Sequence, residues 1–100
     1  MHTVWPVARI EAERRRLEVL RYLARIPGYE TSAMILREHC RSIGVPTTTD
    51  QMRACIHWLA EQDLITTRGS DDDPIPRLTT SGRETAQGYR RHPGVMQPDP

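Results

Sequence analysis

Apolar residues recur at helical spacing along the first quarter of the chain. Ile10, Leu17, Leu20 and Ala24 follow one another at steps of seven, three and four, and Val19, Leu23 and Ile26 widen the stripe. A helix is therefore predicted from Val7, after a short lead from Met1 to Pro6, with Pro27-Gly28 as its stop. Arg14, Arg15 and Arg16 fall outside most of the stripe, and Glu11 and Arg15 stand at the spacing of an i,i+4 ion pair. A second stripe, Ile35, Leu36, Cys40 and Ile43, predicts a second helix with Thr31 as its N-cap. Gly44 suits the left-handed position after that helix, and Pro46 bars continuation. Thr48 and Gln51 then have the spacing of a capping box, which opens a third helix running to about Gln62. Met52, Cys55, Ile56 and Leu59 are its inward residues, and Trp58 lies beside them, toward the strands that follow.

Beyond the third helix the pattern changes. Leu64 to Thr67 is β-branched and strand-like, and Gly69 to Pro74 has turn composition. Ile75 to Leu78 returns as a second, edge-like strand, because Pro76 has no N–H to give a central ladder. Thr79 and Thr80 open a short last helix through Gln87, and Gly88 to Pro100, with three prolines and two glycines, is an extended tail. Helix, helix, tight turn, helix, hairpin, helix is the winged helix-turn-helix order: mainly α, with a three-helix core, a β-hairpin wing and a short fourth helix. The expected organisation is one domain over 1–88 and a tail over 89–100.

Composition narrows the function. A chain of 100 residues can bury one modest core. It has no Phe, and every one of its 14 basic residues is Arg. The formal net charge is only +1, low for a protein that coats DNA. Its distribution is uneven: residues 1–29 carry six Arg against three Glu, residues 30–63 carry three Arg against five acids, and residues 64–100 are balanced at five each. Attraction to phosphate is thus expected chiefly from the first helix. Cys40 and Cys55 lie on the apolar stripes with no disulfide spacing. With no apolar run near membrane-spanning length and no secretory leader, a cytoplasmic protein with reduced thiols and no membrane contact is expected.

Two segments carry a resemblance. Trp58-Leu59-Ala60-Glu61-Gln62-Asp63-Leu64-Ile65 resembles the "WLAEQGLI" stretch in which a recognition helix ends and a wing begins. Leu78-Thr79-Thr80-Ser81-Gly82-Arg83 resembles the "LTxxGR" stretch that follows the wing in many bacterial regulators. With the pattern over 16–23 and the closing Pro93-Gly94-Val95, the chain is similar to small uncharacterised winged helix-turn-helix proteins of Mu-like phages and prophages. The resemblance implies the fold and leaves activity open, since winged helices also bind proteins. Asp63 departs from the pattern, standing where a glycine is usual.

The expected function is non-enzymatic binding of double-stranded DNA, with regulation of phage transcription as the role. In that reading Thr47, Thr48 and Thr49 at the mouth of the third helix, then Arg53 and His57, face the major groove, and Arg15 meets phosphate. Arg14, Arg15 and Arg16 span about 200° of helix, so they cannot all face one ligand. A homodimer is expected, because Val4, Trp5 and Val7 extend the first apolar set beyond what one small core needs. The alternative is a protein-interaction adaptor, and Asp71, Asp72 and Asp73 speak for it: they put three negative charges on the wing, where they repel phosphate and suit a basic protein partner. No metal or other cofactor is expected. Neither His39 with Cys40 nor Cys55 with His57 can converge on one ion at helical spacing, and no phosphate loop, nucleophile elbow or zinc-protease motif is present in the sequence.

Overall fold

The computed structural model describes residues 4–99, with side chains from Val7 onward. Four helices and a two-stranded antiparallel hairpin follow one another in the order α1 (Val4–Arg25), α2 (Ala33–Ser42), α3 (Thr49–Glu61), β1 (Ile65–Ser70), β2 (Asp73–Leu78) and α4 (Thr80–Ala86). α1 begins three residues earlier than its apolar stripe indicates, with Pro6 inside its first turn, where a missing N–H costs nothing. Val4 and Trp5, assigned above to an extended apolar set, lie outside the described side chains.

One core joins the elements. Val19, Leu20 and Leu23 from α1 meet Leu36 and Cys40 from α2, Met52, Ile56 and Leu59 from α3, and Leu64, Ile65 and Leu78 from the hairpin. The N-terminal half of α1 projects from this core, leaving Val7 and Ile10 about half exposed. Ile35, expected inward on α2, is exposed as well.

Local chemistry sets the boundaries. α2 is capped by Ser32, whose hydroxyl accepts from Ile35 N, and not by the predicted Thr31. Thr31 is drawn one position back because its N–H bonds the Pro76 carbonyl. α2 and α3 end in the same motif: Val45 N reaches Cys40 O and Leu64 N reaches Leu59 O, each with a left-handed residue just before. That residue is Gly44 in α2 (φ +85) and Asp63 in α3 (φ +60), so Asp63 takes the glycine conformation.

The hairpin is longer than its β-branched run. β1 continues through Gly69 and Ser70, which pair with Pro74 and Asp73, so the reversal is confined to Asp71-Asp72 instead of the six residues expected. β2 is not a free edge, since Glu30 forms an antiparallel bridge with Arg77 on its other side. The Pro76 carbonyl points at that linker and accepts from Thr31, so the missing N–H falls on the linker side and spares the β1 ladder. Gly82, in α4, admits no side chain: a Cβ there would stand 2.1 Å from the Leu64 carbonyl oxygen. Residues 89–99 form turns laid back on the body, with Met96 N bonded to Glu13 O and Arg16 Nη1 to Gly94 O.

Candidate functional site

The connection between α2 and α3 is held from inside. Arg15, on α1, is nearly fully buried. Its Nε donates to Thr47 Oγ1 at 3.0 Å, and its Nη2 donates to Pro46 O at 2.7 Å. Thr47, also buried, donates its own hydroxyl to Val45 O at 2.9 Å. Two expected contact residues are therefore corrected. Arg15 is an internal strut and forms no ion pair with Glu11, and Thr47 has its hydroxyl committed on both sides. A guanidinium this deep in the fold must keep its partners, because an unpaired buried donor costs more than the bond returns.

That strut sets the start of α3. Thr48 closes the predicted capping box: its hydroxyl accepts from Gln51 N at 3.0 Å, and Gln51 Oε1 accepts from Thr48 N at 2.9 Å. Beyond the cap, Thr48, Thr49, Arg53 and His57 are all exposed. These four are the expected contact residues that share the outer surface of α3. Thr49 Oγ1 accepts from Arg37 Nη1 at 3.3 Å, which adds a cation from α2 that the sequence had not singled out. Arg53 and Asp50 approach to 3.9 Å, and His57 and Glu61 to 3.4 Å. Both are exposed pairs worth little.

Two recesses flank Arg53. One, of about 200 Å³, lies where α2, α3 and the hairpin tip meet, with Arg37, Thr49, Asp72 and Asp73 on its walls. The other, of about 420 Å³, runs between α3 and the hairpin past Asp50, Ile56, His57, Thr67 and Asp71. The hairpin-tip carboxylates thus border the same surface as Arg53: Arg37 and Arg53 share these walls with Asp50, Asp71, Asp72 and Asp73. Of the α1 arginines, Arg15 is buried and Arg16 lies over the Trp58 ring, 4.1 Å from its centroid.

Trp58 itself sits elsewhere than expected. It is half-buried against Arg16, the edge of His92 and the Gly94 backbone rather than against the strands. A Cβ at Gly94 would come within 2.6 Å of the indole, so that glycine is required for the close approach. Cys40 and Cys55 are core residues. Burial pushes the Cys40 thiol up to about 11 and the Cys55 thiol up to about 12, so both stay protonated and unreactive at neutral pH. Among the described residues no three His, Cys, Asp or Glu side chains gather as metal ligands, and no helix is long and apolar enough to cross a membrane.

The hairpin holds a second polar cluster that sequence reading missed. Glu30, in the linker before α2, accepts from Arg68 and lies 3.6 Å from Arg77. The Arg68 hydrogen bond holds its carboxyl below the usual value. Strand alternation carried the signal, since Thr66, Arg68 and Arg77 recur on the exposed face of the pleat.

Compared with known proteins, the chain is 35% identical over 91 residues to "Uncharacterized protein gp26" of Escherichia phage Mu, a match spanning 91% of this chain and 94% of that one. No family model matches the chain. No solved structure matches it either.

Proposed function

The chain belongs to the family of the Mu phage protein gp26, and on that premise we propose that it is a non-enzymatic winged helix-turn-helix protein that binds double-stranded DNA, with regulation of phage transcription as its role. The carrying observation is the outer surface of α3. Thr48, Thr49, Arg53 and His57 stand exposed on a helix whose start is fixed by a capping box and by the buried Arg15–Thr47 strut. A recognition helix has to present side chains to base edges from a backbone that does not yield. In this reading Arg53 takes guanine O6 and N7, Thr49 and Arg37 take phosphate, and α2 with its turn and α3 form the helix-turn-helix unit. Val7 and Ile10, exposed on the projecting half of α1, are the surface on which a second copy would pack. Light scattering should then return about twice the 11.5 kDa chain mass.

The hairpin tip limits how a duplex can lie. Asp71, Asp72 and Asp73 border both recesses beside Arg53 and repel phosphate, so a duplex on α3 has to lie with its backbone clear of the tip. The same carboxylates favour a second reading, an adaptor whose α3 surface and wing receive a basic protein segment. A triple Asn variant at 71, 72 and 73 separates the two. DNA binding predicts unchanged or tighter duplex affinity, measured by anisotropy across a salt series. The adaptor reading predicts no salt-dependent duplex binding in either protein and loss of a basic partner peptide by the variant.

A further inference from the structure

The outer face of the hairpin sets two guanidiniums on one carboxylate, and α4 brings a third guanidinium to the neighbouring Tyr29. The register sets Thr66 opposite Arg77 and Arg68 opposite Ile75, so these four share one face, while Ile65, Pro76 and Leu78 are buried on the other. Glu30 serves both Arg68 and Arg77, which leaves one positive charge over. Arg83, in α4, has a neutral hydrogen-bond partner among the described residues, the Tyr29 hydroxyl at 3.2 Å, and its guanidinium lies 5.6 Å from the centroid of that ring. Among these four charged groups the balance is two positive charges.

Between Arg77 and Arg83 lies an open recess of about 260 Å³, lined also by Tyr29, Leu78, Thr79 and Thr80. Tyr29 reaches its wall through an uncommon backbone. Its φ is +59, directly after Gly28 at +75, and a bulky aromatic residue rarely occupies that region unless its surroundings hold it there. The Tyr29 ring, two guanidiniums and the exposed Thr80 thus line one small recess.

We propose that this recess binds a phosphate-type anion, and that in the working protein the anion is a phosphodiester of the nucleic-acid backbone. Guanidinium forks match phosphate oxygens in geometry and charge, and the Glu30 pair holds Arg77 in place without neutralising Arg83. The inference rests on the DNA-binding reading for the source of the phosphate, not for the site itself. It also adds backbone attraction to that of Arg37 and Thr49, which lie beside the hairpin carboxylates.

The test uses the full chain and two substitutions, Arg77→Gln and Arg83→Gln, both checked for unchanged melting. Duplex affinity is measured by anisotropy over a salt series, and inorganic phosphate is titrated while the backbone amides of Thr79, Thr80 and Arg83 are followed by NMR. Each variant should bind the duplex several-fold more weakly and lower the slope of log affinity on log salt by about one. Unchanged affinity and slope in both variants overturn the proposal while leaving DNA binding through α3 intact. If the wild-type chain binds no duplex, the DNA reading falls and the phosphate titration decides the recess alone. Saturable shifts that disappear in Arg83→Gln then sustain an anion site, and their absence overturns it.

Discussion

Arg15 and Arg53 carry the same guanidinium on packed helices and live in opposite surroundings. Arg15 is almost wholly inside, bonded to Thr47 and to the Pro46 carbonyl. Arg53 is about half exposed, with Asp50 as a loose partner at 3.9 Å. The first fixes where α3 begins, and the second is available to something outside the molecule. Both were expected to meet DNA, and the difference separates an arginine that supports the fold from one left on the surface. The supporting arginine should matter to folding and the contacting one to recognition.

The largest effect should break that comparison if it is wrong. Arg15→Ala removes both bonds that tie α1 to the α2–α3 connection and leaves a void where a nearly buried side chain packed, so denaturant unfolding should show a loss of about 2–4 kcal/mol. Arg53→Ala should change stability by less than about 0.5 kcal/mol. Equal losses from the two would end the distinction. Trp58→Ala should follow at about 2 kcal/mol, since its half-buried indole packs on Arg16 and the Gly94 backbone. Its loss should also free residues 89–99, read as faster amide exchange at Met96; unaltered exchange would show that the segment is held without the indole.

A smaller change sharpens the same theme at the far end of α3. Asp63 holds a left-handed φ of +60 where the matching residue of α2 is Gly44. Asp63→Gly should raise stability by about 0.5–1 kcal/mol, because the Asp63 carbonyl keeps its bond from Thr79 and only the Cβ penalty is removed. A destabilised variant would show that the Asp side chain supports the cap. The smallest effect is electrostatic. Glu30 is held charged by Arg68, so its carboxyl should titrate below the ordinary 4.5 in an NMR pH series. A depressed carboxyl stabilises the fold above its unfolded value and loses that contribution as pH falls through the folded one, so the hairpin–linker contact should loosen only in acid. Titration at or above 4.5 would contradict the pairing.

What could be read from the chain followed the range of the forces involved. The capping box of Thr48 and Gln51 was legible because both partners lie within one helical turn. The inward set Met52, Cys55, Ile56 and Leu59 was legible because period alone defines a face. Arg15 was not, since its partner is 32 positions away and nothing local marks a charged residue as interior. Ser32 and Thr31 are equal as caps until Thr31 is taken by the Pro76 carbonyl. Trp58 was rightly placed beside the core stripe but given the wrong neighbour, because the turns after α4 have no period to project. The basic face of the hairpin was legible in principle by alternation, yet Glu30 and Arg83 join it only through tertiary contact.

The claim that α3 reads DNA is tested most directly by a duplex-library selection at about 100 mM salt, run on the wild-type chain and on Arg53→Ala side by side. An enriched sequence is predicted for the wild type, with the variant losing preference at one base position and about 1–3 kcal/mol of specific affinity. No enrichment for the wild type, or the same preferred sequence for both proteins, would contradict it.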